Sequence, residues 1–470
     1  METKLTRILI LGGGFSGLYT ALELEKKLAG ESAIEITLVN KDNFFLFTPM
    51  LHEVAASDLD LAHIVNPVRK LLHKVIFFNG DVESIDLHSK NVVVSHGDDH
   101  HHHDLSYDYL VLALGSITNF FNLPGLQERA LTMKTLGDAI HLRNRMIANL
   151  EEADFECCTT KRKTLLTFVV AGGGFAGVET VASMNDFLRS AIRFYKHLKD
   201  EMLRIVLVHP GDYILPELGE ELGRYSEEIL RKRNVHVRTK TRVKSVEGES
   251  VVLSDGTMFQ AGTVIWTAGT SPNPLLSFLP CEKERGRIKV NEFLEVPGWS
   301  GVYALGDCAV IMDPTGMPYP PTAQHALREG KIAAQNLIAD IRGKEKKPFV
   351  FSTIGLLASI GRRTGVARIL GKNFSGFFAW WMWRTIYLSK LPSFEKKVRV
   401  ALDWTLDLIF SKDLVQFLTF RAPVVSHNED AMPSPEKFGV RPSLPAVARP
   451  AETPALARPA ETPALQNEPL

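Results

Sequence analysis

Two stretches of this chain carry the residue types and spacing that cradle a dinucleotide. Gly12-Gly13-Gly14-Phe15-Ser16-Gly17 and Gly172-Gly173-Gly174-Phe175-Ala176-Gly177 both fit G-x-G-x-x-G, and ILILGGGFSGLYTA and FVVAGGGFAGVETV are near-copies 160 positions apart. In this pattern the first glycine permits a tight turn and the second lets the backbone approach a pyrophosphate. The third lets a helix pack close, with its N-terminus facing the anion. A third candidate is Gly306-Asp307, which follows YAL about 290 residues after the first motif. An aspartate there can accept from a ribityl hydroxyl of a flavin. Glu179 stands two residues after Gly177. The sequence places it in the first turn of a helix, either as a carboxylate favoured by the positive helix end or as an acid near the reacting rings.

These residues need βαβ units to position them. Residues 7–11 read as a buried strand, a helix runs from about Ser16 to Leu28, and 34–39 read as the next strand. The pattern returns with a strand at 165–171, a helix, and a strand at 203–208. A repeated βαβ unit implies two nucleotide-binding domains in one α/β chain. The acid expected at the end of each second strand is missing: Asn40 and His209 stand there. Asn40 can still bond a ribose hydroxyl. His209 neither holds an adenosine 2′-OH as an acid would nor repels a 2′-phosphate, so both NADH and NADPH stay open.

Between the units, 75–114 is strand-rich and contains a histidine tract at 96–103. It reads as a solvated hairpin tip rather than a metal site, because nothing nearby supplies a second shell. Four cysteines cannot form a disulfide framework, and none lies in the Asn43–Met50 segment after the second strand. A dithiol relay beside a flavin is therefore disfavoured. Lys+Arg and Asp+Glu both number 54, which argues against a basic nucleic-acid binder. No run of 18 apolar residues predicts a spanning helix.

Past residue 349 the composition shifts. Residues 361–400 hold nine Lys/Arg against Glu395 alone, and four of six tryptophans lie in 380–404. Residues 394–410 put Val398, Leu402, Leu406 and Ile409 on one helical face. This reads as an interfacial anchor, with apolar face and indoles in lipid and cations at the headgroups; the alternative is a packed domain or dimer surface. Past 421 the chain holds 10 of its 25 prolines and two copies of ARPAETPAL, which predicts disorder.

With both glycine motifs, Gly306-Asp307, YLVLALG at 109–115 and VIWTAG at 264–269, the chain resembles the two-dinucleotide-binding-domain flavoproteins. FFLFTPMLHEVA, LGDAIHLRNR, GGGFAGVE, YALGDCA, PPTAQHA and WWMWRTIYLSKLP narrow this. They resemble the type II NADH dehydrogenases, single-subunit NADH:quinone oxidoreductases that pump no protons, over about residues 5–420. The family's quinone-side motif is Ala-Gln-x-x-x-Gln; Ala323 and Gln324 match, and Arg328 replaces the second glutamine.

The resemblance implies an FAD-binding domain (1–125 with 285–345), an NAD(P)H-binding domain (126–284), and a membrane-association segment (346–420) before the tail (421–470). FAD would be held by Gly12, Gly14, Phe15, Ser16, Gly17, Asn40, Thr48, Val82, Gly115, Asp307, Ala323 and Gln324. The nicotinamide nucleotide would be held by Gly172, Gly174, Phe175, Gly177, Glu179, His209 and Gly269. Gln324 would position a quinone, and Glu179 would tune charge or shuttle protons. The expected setting is the cytoplasmic face of the inner (plasma) membrane, peripherally bound, as monomer or homodimer, with no nucleic acid and no metal. Two rivals share the fold: a sulfide:quinone oxidoreductase, which needs cysteines flanking the flavin, and a slow-turnover redox sensor.

Overall fold

The computed structural model describes residues 5–28 and 30–417; the Pro-rich stretch 421–470, expected to be disordered, lies outside them. Strand β1 (Thr6–Leu11), helix α1 (Phe15–Leu28) and strand β2 (Ile34–Asn40) form the first crossover. The run Ile8–Leu11 is wholly buried, as a parallel strand covered on both faces requires. The short helix α2 (Leu51–Ala55) and strand β3 (Ile76–Asn79) follow. An antiparallel sheet of β4 (Asp81–Asp86), β5 (Asn91–His96) and β6 (His101–Ser106) comes next, and β7 (Tyr109–Leu112) returns to the first sheet. His96 pairs with His101 across the hairpin end. The rings of His96, His101 and His103 lie 4.8–5.6 Å apart, yet among the described residues no group of three His, Cys, Asp or Glu is arranged to hold a metal.

Helix α3 (Leu136–Phe155) starts at a reciprocal cap in which Thr135 and Asp138 satisfy each other's backbone N–H. The second crossover is β8 (Thr167–Ala171), α4 (Phe175–Ala191) and β9 (Arg204–Val208), with β10 (Val235–Arg238) beyond it. Leu165 and Leu166, expected in the strand, close the preceding helical turn instead, where the Leu166 N–H bonds the Arg162 carbonyl. Strands β11 (Thr263–Trp266) and β12 (Val302–Ala304) and helix α5 (Ala323–Ile341) follow. Strands β13 (Gly355–Ser359), β14 (Gly365–Ile369) and β15 (Lys372–Ser375) precede helices α6 (Gly376–Lys390) and α7 (Phe394–Leu406).

The first parallel sheet has the order β12-β7-β1-β2-β3. The second runs from a two-residue edge at Ala130–Leu131 through β11, β8, β9 and β10, also all parallel. Each has its glycine turn at the carboxyl end of a central strand, where doubly wound sheets bind ligands. Helix α5 packs along α1, and α6 lies on the antiparallel sheet β13-β14-β15.

The C-terminal helices correct part of the sequence reading. Trp380, Trp383 and Trp404 are buried, and Trp381 alone of the four is exposed, at 51%. Three of the indoles therefore serve the interior, because their neighbours there are hydrogen-bond acceptors and an arginine rather than lipid. Arg384 is drawn in as well, with its guanidinium 4.2 Å from the Trp380 ring and 4.6 Å from the Trp404 ring. The face expected to be apolar and outward is exposed throughout: Val398, Leu402, Leu406 and Ile409 all face solvent, beside Phe394 and Phe410. Among the described residues no helix is long and apolar enough to cross a membrane.

Candidate active site

The first glycine turn is built around Gly12. Its φ is +104°, and a Cβ there would lie 2.3 Å from the Ala113 carbonyl oxygen on the neighbouring strand. Only glycine allows that turn and that approach. The counterpart Gly172 has φ +120°, and a Cβ would sit 2.6 Å from Thr267 Oγ1. The two turns share a further device. Asn40 Oδ1 accepts from the Gly13 N–H at 2.8 Å, and His209 Nδ1 accepts from the Gly173 N–H at 3.1 Å. The Asn40 amide also donates to the Asp42 carbonyl at 2.7 Å. Burial lowers the His209 pKa, so the ring is neutral and can accept at Nδ1. Both side chains are thus engaged by their own loops.

The residues suit an FAD phosphate cradle. Helix α1 has no acid in its first turn, and a Cβ on Gly14 or Gly115 would meet nothing within 4 Å, leaving open space over the helix N-terminus. Ser16 and Gly17 close the loop from behind; a Cβ on Gly306 would lie 3.0 Å from Ser16 Oγ, so the Gly306-Asp307 turn sits on the same cleft. The Phe15 ring packs edge-on to Phe45 at 4.9 Å and against Phe47 at 5.8 Å. Thr48 follows Phe47 and is exposed, and Val82 is half-buried on β4, paired with Val94. Asp307 accepts from Ser116 Oγ, and Lys134 Nζ donates to the same hydroxyl and, at 2.8 Å, to the Ser116 carbonyl. Glu329 Oε2 accepts from the Gly306 N–H at 2.8 Å, and burial raises its carboxyl to about 7.

Helix α5 opens at Ala323 and Gln324. Gln324 Nε2 donates to the Gly355 carbonyl at 3.2 Å. Arg328, standing where the family motif has glutamine, donates to the Gln324 carbonyl at 2.7 Å and lies 4.1 Å over the Phe351 ring. It ties the first turn of α5 to Phe351, in the segment that leads into β13.

At the second turn, Gly172, Gly174, Phe175 and Gly177 gather at the start of α4, and Gly269 packs on the Phe121 ring at the end of β11. Glu217, which sequence reasoning overlooked, stands beside Gly174 and acts electrostatically on His209. Glu179 is not in the first turn. Helix α4 starts at Phe175, which makes Glu179 its fifth residue and turns the side chain away from the glycine loop. Its Oε1 accepts from Trp383 Nε1 at 3.0 Å and from the Ser359 N–H at 3.1 Å, both in the C-terminal segment. Burial nevertheless raises the carboxyl to about 8, so it holds a proton at neutral pH. Glu53 on α2 is a parallel case: Trp404 Nε1 donates to its Oε2 at 3.1 Å, and burial raises it to about 8. Tyr387 of α6 meets Trp383 and Phe47 edge-on, which links the C-terminal helices to the first glycine turn through aromatic contacts.

All four cysteines are free thiols; Cys308 is buried, with Sγ 3.6 Å from the Gly115 carbonyl and its pKa pushed up to about 12. Glu53, Ser116, Lys134 and Glu329 escaped sequence reasoning. For Glu329 a signal existed, an acid set among small residues in the helix after the Gly-Asp turn; for the others none did.

Comparison with known proteins agrees with this geometry. Residues 6–330 match the pyridine nucleotide-disulphide oxidoreductase family, and residues 354–413 match the NDH2 C-terminal domain. A "Probable NADH dehydrogenase" of Dictyostelium discoideum is 32% identical over 87% of this chain and 91% of its own length. The "Type II NADH:quinone oxidoreductase Ndh" of Mycobacterium tuberculosis is 30% identical over 86% of this chain and 89% of its own length. The solved structure of NDH2 from Plasmodium falciparum with NADH superposes with a TM-score of 0.81 at 22% identity, covering 88% of this chain and all of that one. With two glycine turns on parallel sheets and a C-terminal segment that supplies the partners of Glu179, the chain belongs to the pyridine nucleotide-disulphide oxidoreductase family, among its type II NADH dehydrogenases.

Proposed function

We infer that this protein is an FAD-dependent NADH:quinone oxidoreductase that pumps no protons. The observation that carries the reading is the likeness along nearly the whole chain to proteins named for that activity, with both glycine turns intact. FAD bound at the first turn supplies the chemistry of accepting a hydride and returning its two electrons. The chain's own residues do the rest. The N-termini of α1 and α4 hold the two pyrophosphates. Asp307, fixed by Ser116 and Lys134, stands ready for a sugar hydroxyl. Gln324, held by Gly355 and Arg328, orients the quinone at the start of α5. Glu179, protonated at neutral pH and set between α4 and the C-terminal helices, delivers a proton as the quinone is reduced. NADH is the donor; the neutral His209 makes discrimination against NADPH weaker than an acid would.

The domain limits proposed are 1–125 with 285–345 for FAD, 126–284 for NADH and 346–420 for membrane association. The protein docks peripherally through the exposed stripe Val398, Leu402, Leu406 and Ile409, with Phe377, Phe378 and Trp381 of α6 exposed as well. Part of the basic run serves the protein itself: Lys396 donates to the Ala62 carbonyl, Lys397 to the Ser389 carbonyl, and Arg399 pairs with Glu395. Attachment is therefore more apolar than charge counting suggests. Free thiols agree with the cytoplasmic leaflet. A second copy covering this stripe would appear as a dimer without vesicles.

The sulfide:quinone rival shares the fold, as a structure from Aquifex aeolicus with a TM-score of 0.65 at 18% identity shows, but Cys308 is buried as a thiol and Cys157 and Cys158 are exposed between helices. The test is the absorption spectrum of purified protein. It should be yellow, bleach with NADH and recover with quinone at a rate matching steady-state turnover. Glu179→Gln should keep the FAD and slow turnover. Protein that takes up no FAD would reject the reading, and so would bleaching that quinone does not reverse. Bleaching and recovery far slower than respiratory turnover would favour a redox sensor.

A further inference from the structure

Between α4, α6 and the segment that follows α7 lies a polar cavity of about 120 Å³, whose walls include Glu53, Asp58, Ser183, Arg384, Asp407 and Lys412. It has room and partners for a few waters. On its inner wall, Ser183 Oγ stands 2.9 Å from His52 Nδ1. The other ring nitrogen, Nε2, is buried without a hydrogen-bond partner and faces Glu179 Oε1 at 3.8 Å. His52 therefore spans the gap between the cavity and Glu179. Its ring is 5% exposed and lies against Trp383, with centroids 5.6 Å apart. The titratable groups near it are Glu179 and, across the cavity, Lys412; burial first and the Lys412 charge second hold the ring neutral, with a pKa of about 3. Lys412 is itself paired with Asp58. A neutral imidazole carries one proton and one lone pair, so it can receive at one nitrogen while releasing at the other.

The reaction needs such a route. Quinone reduction takes up two electrons and two protons; the hydride of NADH brings both electrons and one proton, and solvent must supply the second. Glu179 is 8% exposed and cannot draw that proton from bulk water directly. We propose that Ser183 and His52 form the relay that passes this proton from the cavity to Glu179. The inference rests on the reading above that Glu179 delivers a proton. In the relay, ionised Glu179 takes the proton from His52 Nε2. Ser183 gives its hydroxyl proton to Nδ1, and a cavity water replaces it. One proton enters, one leaves, and nothing is oxidised. The ring is left with its proton on Nδ1, and proton exchange, a loss at Nδ1 and a gain at Nε2, returns it to the starting tautomer before the next turnover. Closing the 3.8 Å gap to hydrogen-bond length needs a shift of under about an ångström, the kind of tightening that catalytic contacts undergo when the site is filled.

The test uses the FAD-loaded protein and two readouts. The first is the infrared band of the protonated Glu179 carboxyl, identified by its loss in Glu179→Gln, followed as it exchanges after transfer into D2O without substrate. The second is the stopped-flow rate at which quinone restores the flavin absorbance, in H2O and D2O. His52→Gln should slow carboxyl exchange and quinone-dependent recovery about tenfold or more, with a larger solvent isotope effect. Bleaching by NADH should stay within about twofold. Ser183→Ala should move both readouts in the same direction, and added imidazole should restore part of the rate of His52→Ala but none of that of Glu179→Gln. Parental exchange and recovery in His52→Gln and Ser183→Ala, with a slow Glu179→Gln, would overturn the relay and leave the role of Glu179 standing. Parental turnover in Glu179→Gln would overturn both. If His52→Gln does not fold, Ser183→Ala decides alone.

Discussion

Trp383→Phe would remove one hydrogen bond from Glu179 and little else that is polar. The indole is fully buried and donates to Glu179 Oε1 at 3.0 Å; the Ser359 N–H supplies the other donor at 3.1 Å. Both donors favour the ionised carboxylate and partly offset the burial that raises it to about 8. A hydrogen bond to a charged group contributes about 1.5–3 kcal/mol, and about 1.4 kcal/mol is one pKa unit, so losing the indole N–H raises the carboxyl by about one to two units. A carboxyl that works as an acid is active below its pKa, so the rise extends activity toward higher pH. The alkaline limb of NADH:quinone turnover should therefore move up by about one to two units, and in Glu179→Gln that limb should vanish. The limb belongs to the coupled pair Glu53 and Glu179, since the Glu53 charge also raises Glu179. The smaller ring leaves a void that costs stability, about 1–3 kcal/mol, read separately as a fall in Tm. A limb that stays in place, or moves down, would refute the assignment of Glu179 as the titrating acid.

Three further outcomes follow from the geometry. Glu179 is raised in the fold above its ordinary value, so the folded protein resists ionising it and loses stability as pH rises from about 4.5 to about 8. The Tm advantage of Glu179→Gln over the parent should widen across that window and level off above it, and a constant difference across pH would mean the carboxyl is not buried as described. His209→Glu should shift the kcat/KM ratio toward NADH over NADPH, and an unmoved ratio would place the 2′ site elsewhere. Leu402→Asp with Leu406→Asp alters two side chains that are 56% and 49% exposed, so Tm should hold. Vesicle binding should fall by about 3 kcal/mol, more than about a hundredfold, with turnover of a soluble quinone preserved; binding that persists would discard this face as the docking surface.

What could be read from the chain beforehand was local. The glycine turns, the helices that follow them and the outward stripe at Val398, Leu402, Leu406 and Ile409 depend on residues close in sequence, whose spacing is their geometry. What could not be read depends on meetings between distant segments. Periodicity finds the apolar face of α7, but it cannot say that Trp404 would turn inward to Glu53, 351 positions away. A tryptophan-rich basic run suits a membrane surface equally well until the acceptors for its indole N–H groups are known. Lys134 joins Asp307 through Ser116 by tertiary contact alone. His52 and Ser183 lie in stretches that look like ordinary helix, and only folding sets them between a cavity and Glu179.

The matched contacts at Asn40 and His209 carry a consequence for redesign. In both units the side chain closing the second strand accepts a hydrogen bond from the middle glycine N–H, through an amide in one and an imidazole in the other. Loop formation therefore asks only for a short acceptor at that position, and amide, imidazole and carboxylate all qualify. At the proposed nicotinamide-nucleotide site, ligand choice would ask far more of residue 209, because a charge there would decide whether a 2′-phosphate is welcomed or refused. On that proposal one position answers to two demands of very different stringency, and the looser one belongs to folding. Exchange at residue 209 would for that reason be a low-risk handle for respecifying the electron donor: the loop would tolerate what the nucleotide would not.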